Sequence, residues 1–182
     1  AELSYVLGLK QIVNSRWLGN QLINSGYCNS YQLCPNAIDH LIFNGSPKYR
    51  RDNKIISIIS YGGREAEWKG FREMCEGMRI AKSRNPEIQF KWQVYGQALL
   101  PPDNEICSYD HLGFLSSEQL AEAYRENDVL MSASWYESFP LFPLEAMACG
   151  LATITTELGT EIYAVDQVTV LIVEPRNPES IA

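Results

Sequence analysis

Two glutamates, Glu137 and Glu145, enclose seven almost wholly apolar residues, Ser-Phe-Pro-Leu-Phe-Pro-Leu, and Ala146-Met-Ala-Cys-Gly150 follows directly. A segment this apolar belongs inside a fold, and carboxylates are rarely taken there without a partner. Either a basic group or a polyhydroxylated ligand must answer both acids. Glu145, opening a short Ala/Met helix within its first turn, could accept hydrogen bonds from vicinal hydroxyls such as those of a ribose. Glu137, on the loop before it, could face a second sugar or a developing positive charge. Pro143 suits the first helical turn, which sets the backbone N–H groups of Leu141 and Phe142 at a helix N-terminus, an end that attracts phosphate. The plainer alternative has Glu145 complementing the helix dipole and Glu137 capping a turn, and it leaves two acids in one apolar segment unexplained. A glycosidase pair would need its carboxylates about 5–9.5 Å apart across a scissile bond, which sequence spacing does not fix.

A second constellation is Tyr61-Gly62-Gly63-Arg64, with Lys69-Gly70 just beyond. Gly62 and Gly63 after a strand let backbone approach a ligand closely, while Arg64 and Lys69 could neutralise a diphosphate, one as a planar fork and one as a point charge. The spacing is neither that of a Walker loop nor GxGxxG. Two solvated cations answered by Glu65 and Glu67 are the alternative. Lesser candidates are His111 at a strand end, and Trp135 with Tyr136, which could stack on a sugar or simply pack. Trp17, Trp68 and Trp92 read as core or helix-packing residues, and residues 48–51 as a solvated basic loop.

The elements that must position these groups alternate between apolar runs and helical patterns. Strands are expected over 10–14, 31–34, 55–60, 88–95, 128–132, 152–155 and 168–173. Ser15 is a plausible N-cap for a helix to about 25, with Trp17, Leu18 and Leu22 inward. A helix over 67–83 places Phe71, Met74, Cys75, Met78 and Ala81 on one side. Further helices are expected after Ser116 or Ser117, over 145–149 and over 159–166, with another just begun at 177–182. Residues 44–53 and 96–104 read as loops. This order implies a parallel, Rossmann-like α/β sheet flanked by helices, whose ligands bind beyond the C-terminal strand ends.

Composition narrows the field. With 46% hydrophobic and 20% charged residues the 182-residue chain is an ordinary globule of one domain, and a net charge of −7 argues against nucleic acid as a partner. The five cysteines form no CxxC pair and read as small core thiols of a reducing compartment, with Cys28 and Cys34 able to approach one another. Two histidines make a His-rich metal site an unpromising reading. A start at Ala1 and an end on a nascent helix point to a piece of a longer protein.

Glu137-x7-Glu145 followed by Ala-Met-Ala-Cys-Gly150 resembles the E-x7-E signature of glycosyltransferase family 4, retaining enzymes of the two-domain GT-B fold. The other motifs occur in that family's order: Val13-Asn-Ser15-Arg-Trp-Leu18, Pro35-Asn36-Ala-Ile38-Asp39, Gly63-Arg64 with Lys69-Gly70, Tyr95-Gly96, His111-Leu-Gly113 and Ile172-Val-Glu-Pro175. The resemblance covers nearly the whole chain as the C-terminal, donor-binding half, residues 1–182 forming one nucleotide-sugar-binding domain.

It implies that Arg64 and Lys69 bind the donor diphosphate, Glu137 contacts the transferred sugar and Glu145 holds the ribose. Gly62, Gly63, Phe139, Leu141 and Phe142 would line the donor, with Phe114 and Leu115 near the base. It further implies same-face transfer of a hexosyl group from a nucleoside-diphosphate sugar to a glycan or lipid-linked acceptor, with no covalent enzyme intermediate and no cofactor or metal. The partner for catalysis would be an N-terminal acceptor domain outside this sequence, so this piece alone is expected to be inactive. The implied location is cytoplasmic, peripheral to the inner face of the membrane in the full-length protein. Pro140 stands where the family usually has Gly, which removes one N–H from the phosphate turn and points towards bacterial surface polysaccharide synthesis. Ala37 replaces Gly in the Pro-Asn motif. A non-catalytic α/β binding module, or a GT-B epimerase or phosphorylase, is the competing expectation.

Overall fold

The computed structural model describes residues 7–46, 54–63, 66–97, 100 and 106–182. The chain runs β1 (Gln11–Val13), α1 (Arg16–Asn24), β2 (Tyr31–Leu33), β3 (Ile55–Tyr61), a 3-10 turn (Glu67–Lys69), α2 (Phe71–Arg84), β4 (Gln89–Tyr95) and β5 (Asp110–Gly113). It continues through α3 (Ser117–Glu126), β6 (Val129–Met131), α4 (Leu141–Ala148), β7 (Ala152–Thr155), β8 (Leu171–Ile172) and α5 (Pro178–Ile181). Six strands form one parallel sheet in the order β5-β4-β3-β6-β7-β8.

The β-branched run of β3 lies at its centre because both faces are covered. Alternate side chains serve opposite layers: Ile58, Val94 and Met131 join Phe71, Met74, Cys75 and Met78 of α2, whereas Ile59, Tyr95 and Leu130 join Leu120, Ala121 and Tyr124 of α3 and Ala146 of α4. Trp92 is buried, with its indole N–H donated to Ser60 at 3.0 Å. The inward face expected for α2 is buried at every position from Phe71 to Ala81 that the helical spacing picks out. Ser116 caps α3 with a complete capping box through Gln119. No described helix is long and apolar enough to cross a membrane.

Four features depart from the pattern. Among the described residues β1 and β2 pair only with one another, as a separate two-stranded parallel sheet around α1. Ser15 does cap α1, accepting from the Leu18 N–H, with Leu22 buried and Trp17 and Leu18 half-buried. The helix expected over 67–83 is broken: Gly70, at φ 70°, separates the 3-10 turn from α2. Gly70 passes so close to the Ala133 carbonyl that any side chain would collide with it. Residues 159–166 form successive turns and not a helix, because the Thr160 and Thr169 hydroxyls bond to local carbonyls and compete with helical hydrogen bonds. Cys75 and Cys107 are joined as a disulfide, against the expectation of five core thiols; packing of α2 on the sheet brings together two cysteines that are 32 positions apart. Cys28, Cys34 and Cys149 are free.

Candidate functional site

The C-terminal ends of β3 and β6 deliver the two constellations to one edge of the sheet. After β3 the chain turns through Gly62 and Gly63, both buried; the Gly62 N–H is taken by the Tyr95 carbonyl at 2.9 Å. Gly63 is at φ 86°, a conformation that favours glycine, and it packs close to the Lys69 stem. Arg64 and Glu65 lie outside the described residues, as do residues 48–51 and most of the 96–104 loop. After β6 the chain runs through Ala133 to Phe139, and the Trp135 N–H bonds the Trp68 carbonyl at 2.7 Å, clamping the two loops together.

That clamp brings Lys69 against Glu137. The ammonium forms an ion pair with Glu137 Oε1, both side chains about one-fifth exposed, and it also sits 5.8 Å over the Tyr61 ring. Lys69 and Glu137 thus face the same space, as the two constellations require. They also satisfy one another, a pairing the sequence reading assigned to Glu65 and Glu67. The Glu137 loop rests on Gly159, whose φ of 86° and close approach to the Glu137 carbonyl admit no side chain.

Helix α4 starts at Leu141, earlier than expected. Pro140 is its N-cap, in extended geometry at φ −68° and ψ 123°, and supplies no side-chain cap. Glu145 consequently lies in the second turn and not the first, so it does not complement the dipole as proposed from sequence. A helix normally presents four free N–H groups, from the N-cap to the third residue. Here Pro140 and Pro143 remove two of those four, leaving Leu141 and Phe142 as the donors. The Pro140 carbonyl accepts a hydrogen bond from the half-buried Tyr163 hydroxyl at 2.7 Å, which fixes the turn. Burial, with Glu137 and Glu161 adding, holds the Tyr163 hydroxyl far from ionisation.

Glu145 is half-buried, and its Oε2 is fully buried with no hydrogen-bond partner among the described residues. Burial pushes its carboxyl from the ordinary 4.5 up to about 7. The nearby Tyr95 and Tyr124 hydroxyls bond each other at 2.9 Å. An aromatic row connects this acid to the ion pair: Tyr95 and Tyr61 each pack on Phe142, with centroids 5.5 and 4.7 Å away, and Tyr61 lies under Lys69. Phe139 is buried edge-on to Tyr163, so only its backbone can meet a ligand. Phe114, after edge strand β5, is 78% exposed, while Leu115 packs into the α3 side of the core.

Tyr61, Gly159 and Tyr163 join the site without having been expected there from sequence. Tyr61 was visible as the residue opening the glycine pair; the other two become significant only through packing. Trp135 is committed to structure, its indole donating to Glu73 at 2.8 Å and its ring lying 4.0 Å under the Arg176 guanidinium. Trp68 and Tyr136 are exposed, against the packing role expected for Trp68.

Comparison with known proteins gives this geometry a context. Residues 56–182 match the family model described as glycosyl transferases group 1. A D-inositol 3-phosphate glycosyltransferase of Paenarthrobacter aurescens is 25% identical over 168 residues, covering 82% of this chain and 41% of that protein. A mannosylfructose-phosphate synthase of Agrobacterium fabrum is 28% identical over 122 residues, 59% of this chain and 26% of that protein. The chain therefore spans less than half the length of these curated relatives. Among solved structures, the C-terminal domain of a glycosyl transferase group 1 family protein, LpcC, from Francisella tularensis superposes with a TM-score of 0.60 at 28% identity, over 80% of this chain and 84% of that one. A glycosyltransferase from Rickettsia africae shares the fold, with a TM-score of 0.76 at 18% identity over all of this chain and 54% of that one. The parallel sheet flanked by helices is the fold of a GT-B C-terminal half, as the sequence implied.

Proposed function

Because the chain belongs to the glycosyl transferases group 1 family, we propose that it is the donor-binding part of a retaining hexosyltransferase using a nucleoside-diphosphate sugar. The observation that carries the reading is the buried Oε2 of Glu145, which has no partner among the described residues, on the helix whose N-terminus offers the N–H groups of Leu141 and Phe142. A buried acceptor without a donor is costly unless a ligand supplies one, and vicinal ribose hydroxyls do so. The diphosphate then lies at the α4 N-terminus and Lys69, with Arg64 expected beside them, and the hexose lies at Glu137. Phe114 and Leu115 are assigned to the base.

In the proposed reaction the bond between the anomeric carbon and the diphosphate oxygen breaks as an acceptor hydroxyl bonds that carbon from the same face. The departing phosphate oxygen is the nearest base on that face and takes the hydroxyl proton. Lys69 and the α4 N-terminus offset the charge released on the phosphate. Glu137, freed from Lys69 by the incoming phosphate, steadies positive charge on the hexose. The proposal invokes no metal ion, and the acceptor, a glycan or lipid-linked sugar of bacterial surface polysaccharide, is expected to meet the donor through a second domain at the cytoplasmic face of the membrane.

Calorimetry with UDP, GDP, ADP and dTDP at millimolar concentration tests the reading, on this chain and on the full-length protein. One nucleotide should bind, and Glu145→Ala should weaken it about tenfold, whereas Lys10→Ala should not change it. Absence of heat with all four nucleotides on both proteins would leave a non-catalytic module as the better account.

A further inference from the structure

Three aromatic rings stand in a ladder beside the Lys69–Glu137 pair. The Trp68 and Tyr136 rings are nearly parallel, 9° apart with centroids at 6.4 Å, and Trp17 lies on Tyr136 at 19° and 6.3 Å. Trp68 and Tyr136 remain 41% and 45% exposed. Their backbones are fixed by the Trp135 N–H bond to the Trp68 carbonyl and by the close passage of Gly70 past Ala133. With Tyr136 as the middle ring, the face of the ladder left open to water is the outer face of Trp68, a rigid aromatic surface beside charged groups of the kind that binding sites present.

Position selects the ligand. From Glu145 the site runs through Tyr95 and Phe142 to Tyr61, Lys69 and Glu137, in the order ribose, diphosphate and hexose on the reading above. Trp68 and Tyr136 directly precede Lys69 and Glu137 in the chain, and the ladder continues from them onto α1, which belongs to the separate two-stranded sheet. It therefore starts beside Lys69 and Glu137, at the hexose end of the donor on that reading, and leads away onto α1. We propose that Trp68, backed by Tyr136, forms a stacking platform for a saccharide unit of the acceptor, whose apolar C–H face covers the Trp68 ring while its hydroxyls turn towards Glu137. This assignment rests on the donor-site reading for its orientation. Occupation of the rings by a second protein domain is the competing outcome.

The test is saturation-transfer NMR on the full-length protein with cellobiose, lactose and mannobiose as probes, in the presence and absence of the nucleotide that binds. At least one disaccharide should receive saturation through its ring protons. Trp68→Ala and Tyr136→Ala should each weaken it about tenfold, Trp68→Phe should stay within about threefold of the parent, and all three should keep the parent's nucleotide affinity. The proposal is overturned if no disaccharide responds, if Trp68→Ala leaves the response unchanged, or if it weakens nucleotide as much as disaccharide. Rings already shielded in the full-length protein, read from quenching of Trp68 fluorescence by acrylamide, would assign them to a domain contact and overturn it as well. Loss of nucleotide binding in the parent with disaccharide binding intact would instead overturn the donor reading alone.

Discussion

Replacing Glu145 by Gln should stabilise the protein in base and leave it unchanged in acid. In the fold, burial holds the Glu145 carboxyl at about 7 against an ordinary 4.5. Each tenfold change in proton affinity is worth about 1.4 kcal/mol, so ionising Glu145 costs the native state about 3 kcal/mol relative to the unfolded chain. The native pKa is the raised one, so between 4.5 and about 7 the folded protein keeps a proton that the unfolded chain has released. Stability is therefore full below that window and falls as pH rises through it. Between about pH 5 and about pH 8 the loss is about 2–3 kcal/mol, and Glu145→Gln, which cannot ionise, should not show it. Urea denaturation of parent and variant at the two pH values measures the difference. The variant should also bind nucleotide about tenfold more weakly in base, because one buried acceptor is lost. Parallel pH dependence in parent and variant would show that the Glu145 charge is solvated, and the claim that its buried oxygen awaits a ligand would fall with it.

Glu137→Gln frees Lys69, so a nucleoside diphosphate without its sugar should bind about fivefold more tightly, the equivalent of about 1 kcal/mol from a partly exposed pair, while transfer by the full-length protein is lost; calorimetry and product mass check the two halves. Gly159→Ala should cost at least about 2 kcal/mol in urea denaturation and weaken sugar-nucleotide binding, since the methyl meets the Glu137 carbonyl at a positive φ. Protein purified without reductant should titrate as three free thiols, and reduction should lower its stability by about 3–4 kcal/mol for a loop of this length; five thiols would reject the Cys75–Cys107 bond. Glu161→Ala removes the carboxylate that accepts the Trp17 N–H at 2.8 Å and should speed amide exchange at the start of α1 by about tenfold.

Periodic apolar pattern carried most of the fold. The β3 run and the α2 face were legible because burial on both sides of a sheet and on one side of a helix writes itself into residue type. Gly70 and the turns at 159–166 were not, because a chain passing close to Ala133 and threonine hydroxyls bonding to local carbonyls leave no periodic trace. At the site, the types and spacing of Glu137, Glu145 and Lys69 were visible in the sequence. Their pairing was not: Lys69 meets Glu137 across a separation of 68 residues, set by the Trp135–Trp68 backbone bond.

Pro140 was the sharpest departure from the family pattern, and its position gives it a definite effect. As N-cap it removes one donor, as Pro143 removes another, so an anion at α4 meets two N–H groups where an unsubstituted helix offers four. Fewer backbone donors shift the burden of phosphate binding to side chains. Among the described residues Lys69 is the cation paired with Glu137. On the proposed reading a diphosphate competes with Glu137 for Lys69, which would couple occupation of the phosphate site to release of the acid beside the hexose. A helix start with Gly in place of Pro140 would bind phosphate more tightly while leaving that exchange intact, so in calorimetry Pro140→Gly should raise nucleotide affinity while the advantage of Glu137→Gln over its parent stays the same.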